Sequence, residues 1–333
     1  MQIKKALAVL ISAVVVSGSV SAYTFKPAIA YDKSGKADRS FNEAAFRDGV
    51  EKFEEKYGID VFELEPVYKA SLKRGIDDMA AAGYSPIVTI GFQTVDLIGW
   101  AAKKYPDIHF VTIDAVVNQP NVQSIVFKEH EGAFMVGALA AMSTETNTVG
   151  FIGGMDIPLI RKFDCGYAQG VKYINEDATV LRDMTGNTFA AFKNPEKGAQ
   201  LALRQMSEGA DVIFAAAGQT GRGVFNAVNL KQKKVIGVDS NQNWVYPGIV
   251  LTSMVKDVGS AAFTAWENAM NDQWQSGLIE LGVKEGGVDW VIDEHNRSLI
   301  TPEMEAKMAG MREDIISGKI VVQDYMADQS CSI

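Results

Sequence analysis

The sequence predicts an α/β protein made of two doubly wound parallel-sheet lobes, and three observations carry that prediction. Short β-branched or aromatic runs alternate with amphipathic stretches, the rhythm of βαβ units and a parallel sheet. The alternation runs once through residues 28–113 and restarts at residue 149, so one chain holds two similar sheets. The 333 residues also match two domains at about 150 residues each.

The first segment in chain order is a leader. Met1-Gln2-Ile3-Lys4-Lys5 is basic, residues 6–16 form an apolar run, and Ser17-Gly18-Ser19-Val20-Ser21-Ala22 supplies small residues for cleavage after Ala22. That layout predicts a secretory signal peptide over residues 1–22. The apolar run is shorter than the roughly 20 residues of a membrane span. No cysteine stands at the cleavage point, so no lipid anchor is expected, and the mature chain is expected to be exported and soluble. A later apolar run, 133–142, is interrupted by Gly137 and reads as a buried helix.

Strands are then predicted at 28–31, 59–64, 87–90 and 109–113, with helices at 42–57, 71–82 and 96–104 between or after them. The second series has strands at 149–152, 179–184, 212–216 and 234–238, with helices at 160–175, 195–208 and 221–229. Candidate crossings between lobes lie at 128–132 and 250–256, and a late strand at 288–292 is expected to return to the first lobe. The expected lobes are 23–130 plus 255–333, and 131–254, with the crossing segments as a hinge. Open parallel sheets bind ligands at the carboxyl ends of their strands, so the cleft between the lobes is the expected site.

Composition removes several function classes. With 47% hydrophobic and 22% charged residues the chain is neither disordered nor fibrous. Lys and Arg total 32 against 41 Asp and Glu, a net charge of -9 whose average field repels a nucleic-acid backbone. The three histidines lie far apart, without Cys or carboxylate at ligand spacing, so neither a metal nor any other cofactor is expected. Export permits a Cys165–Cys331 disulfide. Spacing alone cannot show proximity, and two free thiols are expected.

The candidate site residues follow strand ends. After the first strand come Asp32 and then Asp38-Arg39-Ser40-Phe41-Asn42. Ser40 with Glu43 reads as a capping box for the helix that follows. Phe41 at that helix entrance, beside Asp32 and Asn42, puts an aromatic face next to polar groups that can read a ligand's edge, though a hydrophobic staple competes. Gly91-Phe92-Gln93 ends the third strand and Asp114 the fourth. In the second lobe Phe189 and Phe192 precede a helix, Gly218, Gly221 and Gly223 form a GxxGxG loop, and Asp239 and Lys256 follow the later strands. The glycine order is neither GxGxxG nor a P-loop, which argues against a dinucleotide or triphosphate. Asp32, Asp114 and Asp239 occupy equivalent topological places, and each carboxylate can accept two hydrogen bonds from vicinal hydroxyls.

In this order the motifs Asp38-Arg39-Ser40-Phe41-Asn42, Glu129-His130-Glu131-Gly132 with Gly137, Gly150-Phe151-Ile152-Gly153-Gly154, Ala216-Ala217-Gly218-Gln219-Thr220-Gly221, Gly237-Val238-Asp239-Ser240-Asn241-Gln242 and Leu251-Thr252-Ser253-Met254-Val255-Lys256 resemble the basic-membrane-protein family. That family comprises the purine-nucleoside receptors of ABC importers, with the type I periplasmic binding protein fold. The resemblance implies that Phe41 stacks on a purine while Asp32 and Asn42 read its edge. It implies that Asp239 and Lys256 hold the ribose hydroxyls and that Gly218 offers a backbone contact. Phe163, Phe189, Phe192 and Phe214 compete as the second stacking ring, and Phe192 is favoured. Asp114 matches a hydroxyl-binding Asp of related sugar receptors. The resemblance, with no lipid-anchored cysteine, leads to the expectation of a periplasmic, monomeric, non-enzymatic receptor that delivers its ligand to an importer's permease subunits. The rivals are a same-fold receptor for a free base, riboflavin or a sugar, and an exported nucleoside hydrolase.

Overall fold

The structure is a computed structural model that describes residues 25–66 and 68–333. The expected signal peptide lies outside the described residues. Among those residues no helix is long and apolar enough to cross a membrane.

The first sheet opens with β1 (Ala28–Ala30), which the helices α1 (Phe41–Ala44) and α2 (Lys52–Tyr57), joined by a π-wound stretch (Ala45–Glu51), connect to β2 (Phe62–Leu64). α3 (Lys69–Ala81), β3 (Ile87–Ile90), α4 (Val95–Lys104), β4 (Phe110–Ile113) and β5 (Val122–Phe127) continue it. The chain then crosses. α5 (Glu129–Ser143), β6 (Thr148–Met155), α6 (Pro158–Ile174), β7 (Thr179–Gly186), α7 (Pro195–Ser207), β8 (Val212–Ala216), α8 (Gly221–Leu230), β9 (Lys234–Asp239) and β10 (Val250–Lys256) form the second lobe. A second crossing leads to α9 (Val258–Met270) and β11 (Gly277–Leu281), and a third to β12 (Val288–Trp290), α10 (Pro302–Ile316) and α11 (Tyr325–Asp328).

The two sheets share one plan, in the order β11-β5-β4-β3-β1-β2 and β12-β10-β9-β8-β6-β7. Among the described residues every pairing of these strands is parallel except that of β12 with β10, which is antiparallel. Strands β3, β4 and β8 are buried end to end and read as unbroken Val, Ile, Phe, Thr and Ala, as strands covered on both faces should.

The late strand 288–292 does not return to the first lobe. Residues 288–290 pair with β10, with Met254 opposite Trp290, and the strand that does return is 277–281, alongside β5. The first lobe therefore ends near residue 281 rather than at 333. Strand β11 escaped the sequence reading because it is an edge strand: four of its five residues are exposed, so it carries no burial pattern. Strand β5 lay hidden next to the expected crossing.

The run 133–142 is, as read, part of a helix buried nearly all round, α5. It sits hard against α6, and glycines permit the approach. A Cβ on Gly137 would lie 2.1 Å from the Tyr167 carbonyl oxygen, and one on Gly170 2.0 Å from that of Phe134. The expectation of free thiols is overturned: Cys165 on α6 and Cys331 are disulfide-bonded across 166 residues, with Cα atoms 5.7 Å apart. The C-terminal segment folds back onto α6, where Gln169 also exchanges hydrogen bonds with the backbone of Gln323.

Candidate functional site

A cavity opens between the carboxyl ends of the two sheets, with about 620 Å³ of atom-free space including its mouth. Asp32, Phe41, Phe92 and Asp114 line it from the first lobe, and Phe192, Gly218, Asp239 and Lys256 from the second. Eight of the nine candidates thus share one cavity. Asn42 does not line it. Its Nδ2 donates to Asp32 at 2.7 Å and to Asp38 at 2.9 Å, and its Oδ1 accepts from the Asp32 backbone at 3.1 Å, so the amide is fully used in holding the wall. A direct edge-reading role for Asn42 does not fit this geometry.

The entrance to α1 departs from the expected capping box. Ser40 makes no side-chain cap; Asp38 does the work, its carboxylate accepting from the backbone N–H of Ser40, Asn42 and Glu43 at 2.9–3.1 Å. That frees the Ser40 hydroxyl to donate across the cleft to Asp239 at 2.5 Å. Asp38 also faces the cavity, a site residue the sequence reading used only as part of a motif.

Asp114 directly follows β4 and Asp239 ends β9, the third strands of their sheets, and both adopt left-handed backbone, at φ 64° and 67°. Asp tolerates that region better than most side chains, but it is a strained choice that marks a site rather than a turn of convenience. Gly91 and Gly218, after the neighbouring strands β3 and β8, are left-handed too, at φ 99° and 55°. The two halves of the cleft are built alike at Asp114 and Asp239, whereas Asp32, which follows β1, the fifth strand of its sheet, does not share their place as the sequence suggested.

Lys256, 2% exposed, sits between Asp114, at 2.6 Å, and Glu129, at 2.8 Å. Its ammonium also lies 4.9 Å from the ring centres of Phe41 and Phe127. Burial opposes its charge, yet Asp114, Glu129 and Asp239 together hold its pKa above the usual lysine value. Burial raises Asp114, against the pull of Lys256. It pushes Asp239 up to about 7, with Lys256 and the Ser40 hydroxyl opposing. Burial likewise raises Asp32 and Asp38.

Of the four competing rings, Phe163, Phe189 and Phe192 line the cavity. Phe214 is fully buried in β8 against Phe151 and Tyr167 and is core. Phe192 rests on Gly154, where a Cβ would come within 2.3 Å of the ring. Leu159, Ile160 and Val238 add aliphatic wall that carried no signal in the sequence, because apolar residues at helix starts and strand ends are indistinguishable from core.

The lobes meet across the mouth of this cavity. Gln219 donates to the Ser34 carbonyl at 2.9 Å, Gln242 to that of Arg39 at 2.5 Å, and Lys193 to that of Lys33. Among the described residues the one group of acids and histidine placed to hold a metal is Asp293-Glu294-His295, which is not part of the cavity lining.

Two parallel-sheet lobes closing on an aromatic and acidic cavity define a bilobed solute-binding protein. The chain belongs to the Bmp family, ABC transporter substrate-binding protein PnrA-like, whose model matches residues 26–325. It is 31% identical over 320 residues to the ABC transporter nucleoside-binding protein BmpA of Lactococcus lactis subsp. cremoris, covering 89% of this chain and 88% of that one. It is 32% identical over 293 residues to basic membrane protein A of Borreliella burgdorferi, covering 86% and 84%. A solved solute-binding protein of an ABC transporter system from Aeropyrum pernix K1 superposes with a TM-score of 0.81 at 28% identity, over 90% of this chain and 94% of that one. Relatives from Pyrococcus species carry the name lipoprotein.

Proposed function

We propose that the cavity binds a purine nucleoside and that the protein hands it to the membrane subunits of an ABC importer. The observation that carries this reading is the juxtaposition, in one cavity, of phenylalanine rings from both lobes with Asp239, Asp114 and Lys256. A flat heterocycle fits between rings, and vicinal ribose hydroxyls fit a carboxylate acceptor. Charged hydrogen bonds contribute about 1.5–3 kcal/mol each and an aromatic contact about 0.5–1.5 kcal/mol beyond its area. A few of each reach the roughly 8–12 kcal/mol of a micromolar to nanomolar binder without any catalytic step. The name of the Lactococcus lactis relative supports the nucleoside class.

Extracytoplasmic placement is supported by the Cys165–Cys331 disulfide, which an oxidising compartment permits. We read the acids of the cavity as hydroxyl acceptors rather than as a hydrolase's acid and base. Asp114 is engaged with the Lys256 ammonium, and Asp239 with the Ser40 hydroxyl and the charge of Lys256. Isothermal titration with adenosine, guanosine, inosine and their free bases tests the proposal. Micromolar or tighter binding of at least one nucleoside is expected; millimolar or absent binding of all three refutes it.

A further inference from the structure

The motif Glu129-His130-Glu131-Gly132 marks the sequence, yet none of its residues lines the cavity. Glu129 lies directly behind the wall. It is 1% exposed, the first residue of α5 after the chain crosses from β5, and its Oε1 stands 2.8 Å from the ammonium of Lys256, which ends β10 just before the second crossing. Its other oxygen, Oε2, stands 3.1 Å from the ammonium of Lys162 on α6. Lys162, 6% exposed, donates to the Phe127 carbonyl at 2.7 Å and lies 3.4 Å from Asp324 in the C-terminal segment.

Charge therefore alternates along one row, Asp114, Lys256, Glu129, Lys162, Asp324, running from the cavity of the first lobe through the hinge to the segment clasped onto α6. An ammonium in so dry a place is poorly repaid by one carboxylate, and a second on its far side offsets the deficit. Neither Glu129 oxygen finds a hydrogen bond of good geometry among the described residues, so the two ammoniums are what compensates its buried charge. The Lys256 ammonium in turn packs against Phe41 and lies 5.9 Å from the Phe163 ring, both in the cavity lining.

We infer that Glu129 is a positioning residue that fixes the Lys256 ammonium in the cavity wall, held in turn by Lys162 and the Asp324-bearing C-terminal segment, so that affinity depends on residues that touch no ligand. The affinity arm of this inference rests on the binding role proposed for the cavity. Two measurements on the full chain separate the two. The first is the side-chain NMR resonance of the isotope-labelled Lys256 ammonium without ligand, and the second is titration with inosine, each for wild type, Glu129→Gln, Glu129→Asp and Asp324→Asn.

Glu129→Gln is expected to move the Lys256 resonance and to weaken inosine binding by about tenfold or more, the loss of one charged contact. Glu129→Asp, which keeps the charge, recovers part of both effects. Asp324→Asn, at a half-buried position remote from the cavity, moves the same resonance in the same direction by less and decides the matter if Glu129→Gln does not fold. An unmoved Lys256 resonance in Asp324→Asn and in any folded Glu129→Gln protein, or Glu129→Gln binding inosine as tightly as wild type, overturns the inference. A wild type that fails to bind inosine counts against the nucleoside reading, while the resonance still decides the positioning role.

Discussion

Asp239 joins most of the chemistry of the cleft. Burial pushes its carboxyl from 3.8 up to about 7, so in the closed cavity it holds a proton under mildly acidic conditions that the unfolded chain would have lost. A folded state that binds more protons than the unfolded one loses stability as pH rises. From this group the loss falls between about pH 4 and pH 7 and amounts to at most about 1.4 kcal/mol per unit. Asp239→Asn should flatten that part of the curve; urea unfolding of both proteins at pH 5 and pH 7.5 checks it, and an equal slope in the variant contradicts it. Ribose hydroxyls donating to the carboxylate favour its ionised form. Affinity for a nucleoside should therefore rise from pH 5.5 to 7.5 with release of a proton, seen by titration in buffers of different ionisation enthalpy. Asp239→Ala should weaken binding by about 2–4 kcal/mol through the lost charged contacts. Asp239 was legible in the sequence because it follows a strand as Asp32 and Asp114 do. Its partner Ser40 was not, since Ser followed three residues later by Glu is the pattern of a cap, and only the three backbone contacts of Asp38 reveal that the cap lies elsewhere.

The strands and helices flanking the cleft were read largely from alternation, and where alternation failed a physical reason is visible. β11 is too exposed to carry a pattern, and β12, legible as a strand, gave no sign in its sequence that it joins the second sheet rather than the first. The disulfide shows a different limit. Cys331 lies 166 residues from Cys165, in a polar tail, and nothing in either neighbourhood announces the other. It closes a long loop, and Cys165→Ser should cost about 2–5 kcal/mol of stability. Thermal melts with and without reductant check this: reductant should lower the wild-type midpoint and leave the Cys165→Ser midpoint in place. An unchanged wild-type midpoint would show that the tail is held by Gln169 and packing alone.

At the level of the two lobes, besides the Ser40–Asp239 and Asp114–Lys256 contacts inside the cleft, side chains of the second lobe reach backbone carbonyls of one loop, 33–40, in the first. That loop leads from Asp32 to Phe41, so the contacts that shut the cleft also place the residues that line it. Removing two of them, in Gln219→Ala/Gln242→Ala, should speed ligand release and lower affinity by about 1–3 kcal/mol, at 0.5–1.5 per hydrogen bond. Stopped-flow displacement reads the rate, and an unaltered rate means that these contacts do not hold the lobes shut. The two-lobe plan was legible because the alternation of strands and helices restarts, while these contacts were not, since a Gln in a loop has no signature for what it will meet across a cleft. A crystal structure of the protein with inosine is the most direct test of what the lobes enclose. The purine should lie against Phe41, with a ring from Phe163, Phe189 or Phe192 on its other face and the ribose hydroxyls on Asp239. Inosine found outside the cavity, or inside it with Phe41 and Asp239 untouched, would contradict the nucleoside-receptor reading.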